Sequence, residues 1–196
     1  MFHLRGPRRI VCLTGETVDT IYRLGESNRI VGITGFATNP PEARKEKPRI
    51  AAYTSAKLDR ILKLKPDLVL CYSDLQADLA RQLIQAGLEV YLFNQRDIEG
   101  IFKMIHRLSC LVEAKDQGYR LICELQRNIE KAQKSAQGTV RPRVYFEEWP
   151  DPYICGIQWV SQLIDIAGGS DVFAERSLQG LAKARIIEHD QIILSK

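Results

Sequence analysis

Two stretches of this chain share one pattern, and that pattern restricts the available folds more than any other feature. Residues 57–72 read KLDRILKLKPDLVLCY. Leu58, Ile61, Leu62 and Leu64 fall at helical spacing, Pro66-Asp67 breaks the helix, and Leu68-Val69-Leu70-Cys71 is a short apolar run of the kind a buried strand needs. Residues 189–196 (HDQIILSK) align with 58–65 (LDRILKLK), pairing Asp59 with Asp190, Ile61 with Ile192, Leu62 with Ile193 and Lys65 with Lys196. A helix that leads into a fully buried strand is the repeating unit of a parallel α/β sheet. Its recurrence predicts two similar lobes. The second stops before its counterpart of the 68–71 strand, so an incomplete second lobe is expected.

At 196 residues the chain can form one domain or two small ones. Hydrophobic residues at 45% and charged residues at 27% suit a soluble globular protein. No apolar run approaches the ~20 residues of a membrane helix, so the chain is not expected to span a membrane. The opening MFHLRGPRRIVCLTG is basic but lacks the ~7–15-residue apolar stretch of a secretory signal, which by itself predicts a cytoplasmic protein. The net charge of +4 comes from cations scattered among acids, so no nucleic-acid partner is expected. Cys12, Cys71, Cys110, Cys123 and Cys155 are far apart, an odd set that argues against a disulfide framework. Cys12 and Cys71 fall inside predicted strands and are expected in the core.

Hydrophobic spacing gives strands at 9–13, 29–33, 68–71 and 89–93, with helices at 17–24, 74–86 and 98–108. Residues 34–47, with Asn39-Pro40-Pro41 and a charged patch, read as a surface loop. Leu75, Leu79, Leu83 and Ile84 mark the buried side of the 74–86 helix. Residues 113–136 contain no proline and one glycine, predicting one long helix. A new strand follows at 143–146, then an exit loop at 147–153, a helix at 157–167 that makes Trp159 a core candidate, and a last helix running off the end. The expected organisation is an N-terminal lobe at 8–112, a connecting helix at 113–137 and a C-terminal lobe at 138–196. The fold class is α/β: two Rossmann-like parallel-sheet lobes joined by one long rigid helix.

Nucleotide and hydrolase fingerprints are missing. Leu13-Thr14-Gly15-Glu16-Thr17 carries one glycine where a dinucleotide turn uses three, and neither a phosphate-loop motif nor a Gly-x-Ser-x-Gly elbow occurs. His3, His106 and His189 are scattered, and no metal site or catalytic residue is assigned. Ligands of open α/β sheets sit outside the carboxyl ends of the strands. There the sequence places Thr14 and Glu16, Phe36, Tyr72, Trp149 and Tyr153, with Tyr53 just before the 57–72 cassette. Aromatic and hydroxyl groups at one edge suit a flat, partly polar organic ligand, and each aromatic can equally close its own loop.

These segments resemble the class III substrate-binding proteins of ABC importers, the helical-backbone (TroA-like) receptors for cobalamin, iron–siderophores and haem. The likeness rests on RIVCLTGETVDTIYRLGESNRIVGIT (9–34), NPPEA (39–43), LDRILKLKPDLVL (58–70) and QLIDIAGGSDVF (162–173), and nearly the whole chain takes part. FEEWPDPYICGIQWVSQLIDIAGG (146–169) is most similar to the cobalamin binders. The resemblance implies a monomeric binding protein without catalysis or a resident cofactor, which holds a metal chelate in an inter-lobe cleft and hands it to an ABC permease. It implies an extracytoplasmic location, against the missing signal. It also implies docking through one acid per lobe, which falls on Asp190 and, near Ala77, on Asp78. Residues 180–187 (GLAKARII) are basic and aliphatic where an aromatic contact is expected, which favours an anionic ligand. The rival reading is a cytoplasmic enzyme or cofactor-handling protein on the same architecture.

Overall fold

Continuous aliphatic runs form the middle of a parallel sheet because both of its faces are covered. In the structure, a computed structural model that describes residues 5–51 and 58–195, those runs are β1 (Ile10–Cys12), β2 (Ile30–Thr34) and β4 (Leu68–Tyr72). With β3 (Arg49–Ala51) and β5 (Val90–Phe93) they make a five-stranded parallel sheet of order β3-β2-β1-β4-β5. Val11, Leu13, Val69 and Cys71 pack on one side with Ile50, Ile61, Leu79 and Leu83. The crossovers are α1 (Gly15–Arg23), α2 (Ala43–Glu46), α3 (Leu58–Lys63) and α4 (Ala77–Gln85). Two longer helices follow, α5 (Ile98–Leu111) and α6 (Lys115–Ala136).

The remaining elements are β6 (Arg143–Val144), β7 (Glu147–Pro150), β8 (Tyr153–Cys155), α7 (Gln158–Ile166), β9 (Ser170–Asp171), α8 (Ala174–Ser177) and α9 (His189–Leu194). The chain divides into two compact units. The first runs to Asn94 and includes Lys103–Ile122; the second comprises Gln95–Phe102 and everything from Cys123. Both α5 and α6 therefore pass from one unit to the other. At 22 residues, α6 is one uninterrupted helix of about 33 Å at ~1.5 Å per residue.

The second unit repeats the opening of the first. β6 and β9 pair in parallel around α7 as β1 and β2 do around α1. Gly25 and Gly168, at φ 78° and 83°, close the two helices. The alignment that pairs Leu58 with His189 also pairs Lys63 with Leu194, so α3 and α9 begin and end at equivalent positions. The equivalence reaches single bonds. Arg9 places Nη2 2.6 Å from the Leu64 carbonyl, and Arg143 places Nη2 2.9 Å from the carbonyl of Ser195, the counterpart of Leu64. Each guanidinium satisfies a carbonyl left open at a helix C-terminus.

Five expectations need correction. Residues 34–47 are not only surface: Ala37 and Ala43 are fully buried, α2 forms there, and the edge strand β3 follows. Residues 147–153 are not an exit loop but most of an antiparallel hairpin, β7–β8. Helix 74–86 opens with a 3-10 turn at Asp74–Gln76, on which Leu75 is exposed, and within α4 Ile84 lies one position past the buried Leu79–Leu83 face and is 61% exposed. The last helix closes inside the chain at Leu194, with Ser195 as its C-cap, and Trp159 is only half-buried.

Cys12, Cys71 and Cys155 are buried, and Cys110 and Cys123 are half-buried. Burial pushes the Cys12 and Cys71 thiols up to about 12. Because the thiolate is the reactive form, iodoacetamide at neutral pH should alkylate Cys110 and Cys123 in the native protein and all five cysteines only in denaturant. Mass spectrometry reads the result, and rapid native labelling of Cys12 or Cys71 would contradict the core assignment.

Candidate functional site

In the first unit the chain leaves β1 toward β2 and β3, then returns to the other flank as β4 and β5. The switch point therefore lies between β1 and β4, the place where open α/β sheets leave a crevice at their carboxyl edge. Leu13 and Tyr72 stand on its two sides. Gln76 bridges them: its Nε2 donates to the Leu13 carbonyl at 3.2 Å, and its Oε1 accepts from the Tyr72 N–H at 2.9 Å. Gln76 is fully buried, so both ends of its amide serve to fix this edge. Ser73, also buried, turns the chain out of β4 at φ 56° and caps the following 3-10 turn by accepting from the Leu75 N–H at 3.3 Å.

The candidate residues of this unit occupy the same edge at different depths. Thr14 is the N-cap of α1, fully buried, and its side chain does not cap the helix. The Thr17 hydroxyl donates to the Thr14 carbonyl at 3.0 Å, so the Thr14 hydroxyl is the donor of the 3.1 Å contact between the two side chains. Glu16 is half-buried in the first turn of α1, where a carboxylate complements the helix dipole. Phe36 is 62% exposed just beyond β2, with its N–H on the Thr34 hydroxyl at 3.3 Å. A Cβ on Gly15 would lie 3.6 Å from the Phe36 carbonyl, so the β1–α1 turn and the Phe36 loop pack together. Tyr72 is half-buried at the end of β4. Tyr53 lies outside the described residues.

The second unit presents its candidates on the β7–β8 hairpin. Trp149 is 58% exposed, and its Nε1 donates to the Asp151 carbonyl at 2.9 Å, which pins the indole edge and leaves a face in solvent. Tyr153 is half-buried, its ring centroid 5.9 Å from that of His189 at 34°. Behind the hairpin, Arg185 donates to both carboxylate oxygens of Glu148. Arg185 is 2% exposed. Its charge is thus matched inside the unit, and the basicity of 180–187 does not reach a ligand through it; Lys183 is exposed. Neither Gln76 nor Arg185 was singled out from the sequence.

Asp78, in the first turn of α4, and Asp190, in the first turn of α9, both project into solvent. Asp78 lies 4.0 Å from Arg81 Nε. A groove of about 520 Å³ beside α7 and α8, lined by Ile98, Gln162, Ile166 and Leu178 among others, contains none of the candidate residues. Among the described residues no group of three or more His, Cys, Asp or Glu side chains could hold a metal ion, and no helix is long and apolar enough to cross a membrane.

Comparison with known proteins places the chain in a wider set. The family profile described as periplasmic binding protein matches residues 10–191. The vitamin B12-binding protein of Vibrio campbellii is 28% identical over 177 residues, covering 88% of this chain and 64% of the relative. An ABC transporter substrate-binding lipoprotein of Bacillus subtilis is 26% identical over 155 residues, covering 76% of this chain and 49% of its own length. The chain therefore spans less than two thirds of either relative. The fold matches that of a periplasmic haem-binding protein from a Roseiflexus species, at TM-score 0.80 and 23% identity over 97% of this chain and 74% of that one. It also matches the periplasmic vitamin B12-binding protein of Vibrio cholerae, at TM-score 0.77 and 19% identity over 98% and 74%.

Proposed function

We propose a ligand-binding role from a plain premise: the chain belongs to the periplasmic binding protein family. The ligand is a corrinoid such as cobalamin or a similar metal chelate, haem and iron–siderophores included. The observation that carries this reading is the family match across residues 10–191, joined by a relative named for vitamin B12. The candidate residues of each unit add chemical support. Each unit offers aromatic surface at a strand-exit edge, Phe36 and Tyr72 in one and Trp149 and Tyr153 in the other, and flat macrocycles are held by such faces. Glu16 supplies a polar group to the first edge, and Tyr53 and the buried Thr14 belong to the same proposed set.

The role is capture and delivery without chemistry on the ligand or a resident cofactor. The protein acts as a monomer outside the cytoplasm and passes its ligand to an ABC permease, with Asp78 and Asp190 as docking acids. Their exposure, one in each unit, supports that assignment.

Titration of the purified chain with cyanocobalamin, haemin and ferrichrome, followed by tryptophan fluorescence, tests the reading. One of the three should quench the emission saturably. Trp149→Ala should weaken that ligand about thirtyfold, the effect of losing roughly 2 kcal/mol at an aromatic anchor. Trp159→Phe should leave its affinity within about twofold, since Trp159 lies on α7 and is not part of the proposed set. Silence from Trp149 with every ligand would remove it from the site.

A further inference from the structure

We propose that Arg185 is a positioning residue, whose two-point ion pair with Glu148 sets the posture of the hairpin that carries Trp149 and Tyr153. The inference rests on the binding role proposed above. The hairpin is weak by construction. It pairs four residues of β7 with three of β8, and isolated two-stranded ribbons are marginal in water. Its ladder is also interrupted. Glu147 pairs with Cys155 and Trp149 with Ile154, so Glu148 is the extra residue of a bulge and has no opposite number on β8.

Arg185 fills that gap. Its Nη1 lies 2.5 Å from Glu148 Oε2 and its Nη2 3.0 Å from Oε1, a planar fork against a carboxylate. The same Nη1 reaches the Cys155 carbonyl at 2.5 Å. One guanidinium thereby holds β7 through a side chain and β8 through the main chain. The residues that follow extend the hold: Ile186 bridges Ile154, and the Ile187 N–H donates to the Tyr153 carbonyl at 2.9 Å.

Stability alone does not account for this arrangement. Arg185 is 2% exposed, and its buried Nε has no hydrogen-bond partner among the described residues. An apolar residue of similar volume would avoid both desolvation and the orphaned donor, at the loss of one donor to the Cys155 carbonyl. What an apolar residue cannot do is fix Glu148 by direction, and Glu148 is the residue next to Trp149. The ion pair thus sets where the indole sits before a ligand arrives, which lowers the ordering cost of binding.

The test uses a Trp159→Phe background, which leaves Trp149 as the sole tryptophan. Steady-state anisotropy and acrylamide quenching report the posture of the hairpin without ligand, and titration with cyanocobalamin, haemin and ferrichrome reports affinity. Arg185→Met and Glu148→Gln should both lower the anisotropy, raise the quenching and weaken the bound ligand about tenfold. Arg185→Lys should fall between them and the parent, because a single ammonium cannot reproduce the fork. Should Arg185→Met fail to fold, Glu148→Gln decides alone, since Glu148 is exposed. Unchanged anisotropy and quenching in Glu148→Gln would overturn the inference. A parent that binds none of the three ligands removes the binding role, and the ligand-free anisotropy still decides the positioning. Loss of affinity in Trp149→Ala with none in Arg185→Met or Glu148→Gln keeps the binding role and rejects the positioning.

Discussion

Replacing Arg29 by methionine should lower the stability of the first unit by about 2–3 kcal/mol. Arg29 is a cation almost wholly removed from water, and its side chain is 6% exposed. Its Nε donates to Glu26 at 2.6 Å, Nη1 to the Pro7 carbonyl at 2.8 Å and Nη2 to Glu113 at 3.1 Å. It therefore ties the segment before β1, the turn before β2 and the corner between α5 and α6. Methionine fills much of the space but leaves the Pro7 carbonyl without its donor. The cost stays below the usual 3–5 kcal/mol for breaking a buried pair, because Glu26 and Glu113 are 24% and 43% exposed and can rehydrate. Urea unfolding followed by circular dichroism measures the change, and an unaltered midpoint would refute it.

The same variant has a signed pH dependence. The Gly6 N–H, and after it Arg29, hold the Glu113 carboxyl below the ordinary glutamate range. A carboxyl lowered in the folded state contributes stability in full above its unfolded value of about 4.3 and loses it as pH falls through the lower folded value. The gap between parent and Arg29→Met should therefore be widest near neutrality and narrow in acid.

Gly118→Ala should cost about 2 kcal/mol net, although alanine is the better helix former. A Cβ on Gly118 would meet Ser109 Cβ at 2.4 Å, and Ser109 Oγ closer still. Ser109 is fully buried on α5, so a rotamer change moves the hydroxyl but not the Cβ. The α5–α6 corner must open, and overpacking of this kind costs about 3 kcal/mol at the upper end, against about 1 kcal/mol gained in helix propensity. The pair Ser109→Gly and Gly118→Ala moves the small residue to the other helix and should recover most of the loss. A double variant no more stable than Gly118→Ala would show that the cost arises elsewhere.

The readable parts of this fold are those whose residues have one physical use. Ile10–Cys12 and Leu68–Cys71 are aliphatic on both faces, and only a buried parallel strand uses such a run. Arg49–Ala51 follows Pro48 and includes one arginine, so nothing marks it as a strand until β2 supplies a partner. Glu147–Pro150 reads as loop because acids and proline avoid central strands, yet an exposed two-stranded ribbon tolerates both. The candidate edge was legible for the same reason as the strands: residues just past a strand of a parallel sheet must stand at its carboxyl edge, as Thr14, Phe36 and Tyr72 do. Gln76 and Arg185 were not legible, because both types are ordinarily exposed and only the folded chain reveals a partner for each.

The paired arginines, Arg9 on Leu64 and Arg143 on Ser195, bear on what resemblance can survive in a diverging chain. A guanidinium that binds a carbonyl does not read the side chain above it. Leucine and serine differ in size and polarity, yet the bond beneath them is the same. Contacts made to the main chain are thus sheltered from substitution at one of their two ends, and drift has half as many ways to erase them. Kinship between the halves is best kept where comparison of letters is poorest at finding it: in an arginine, and in a carbonyl that any residue can supply.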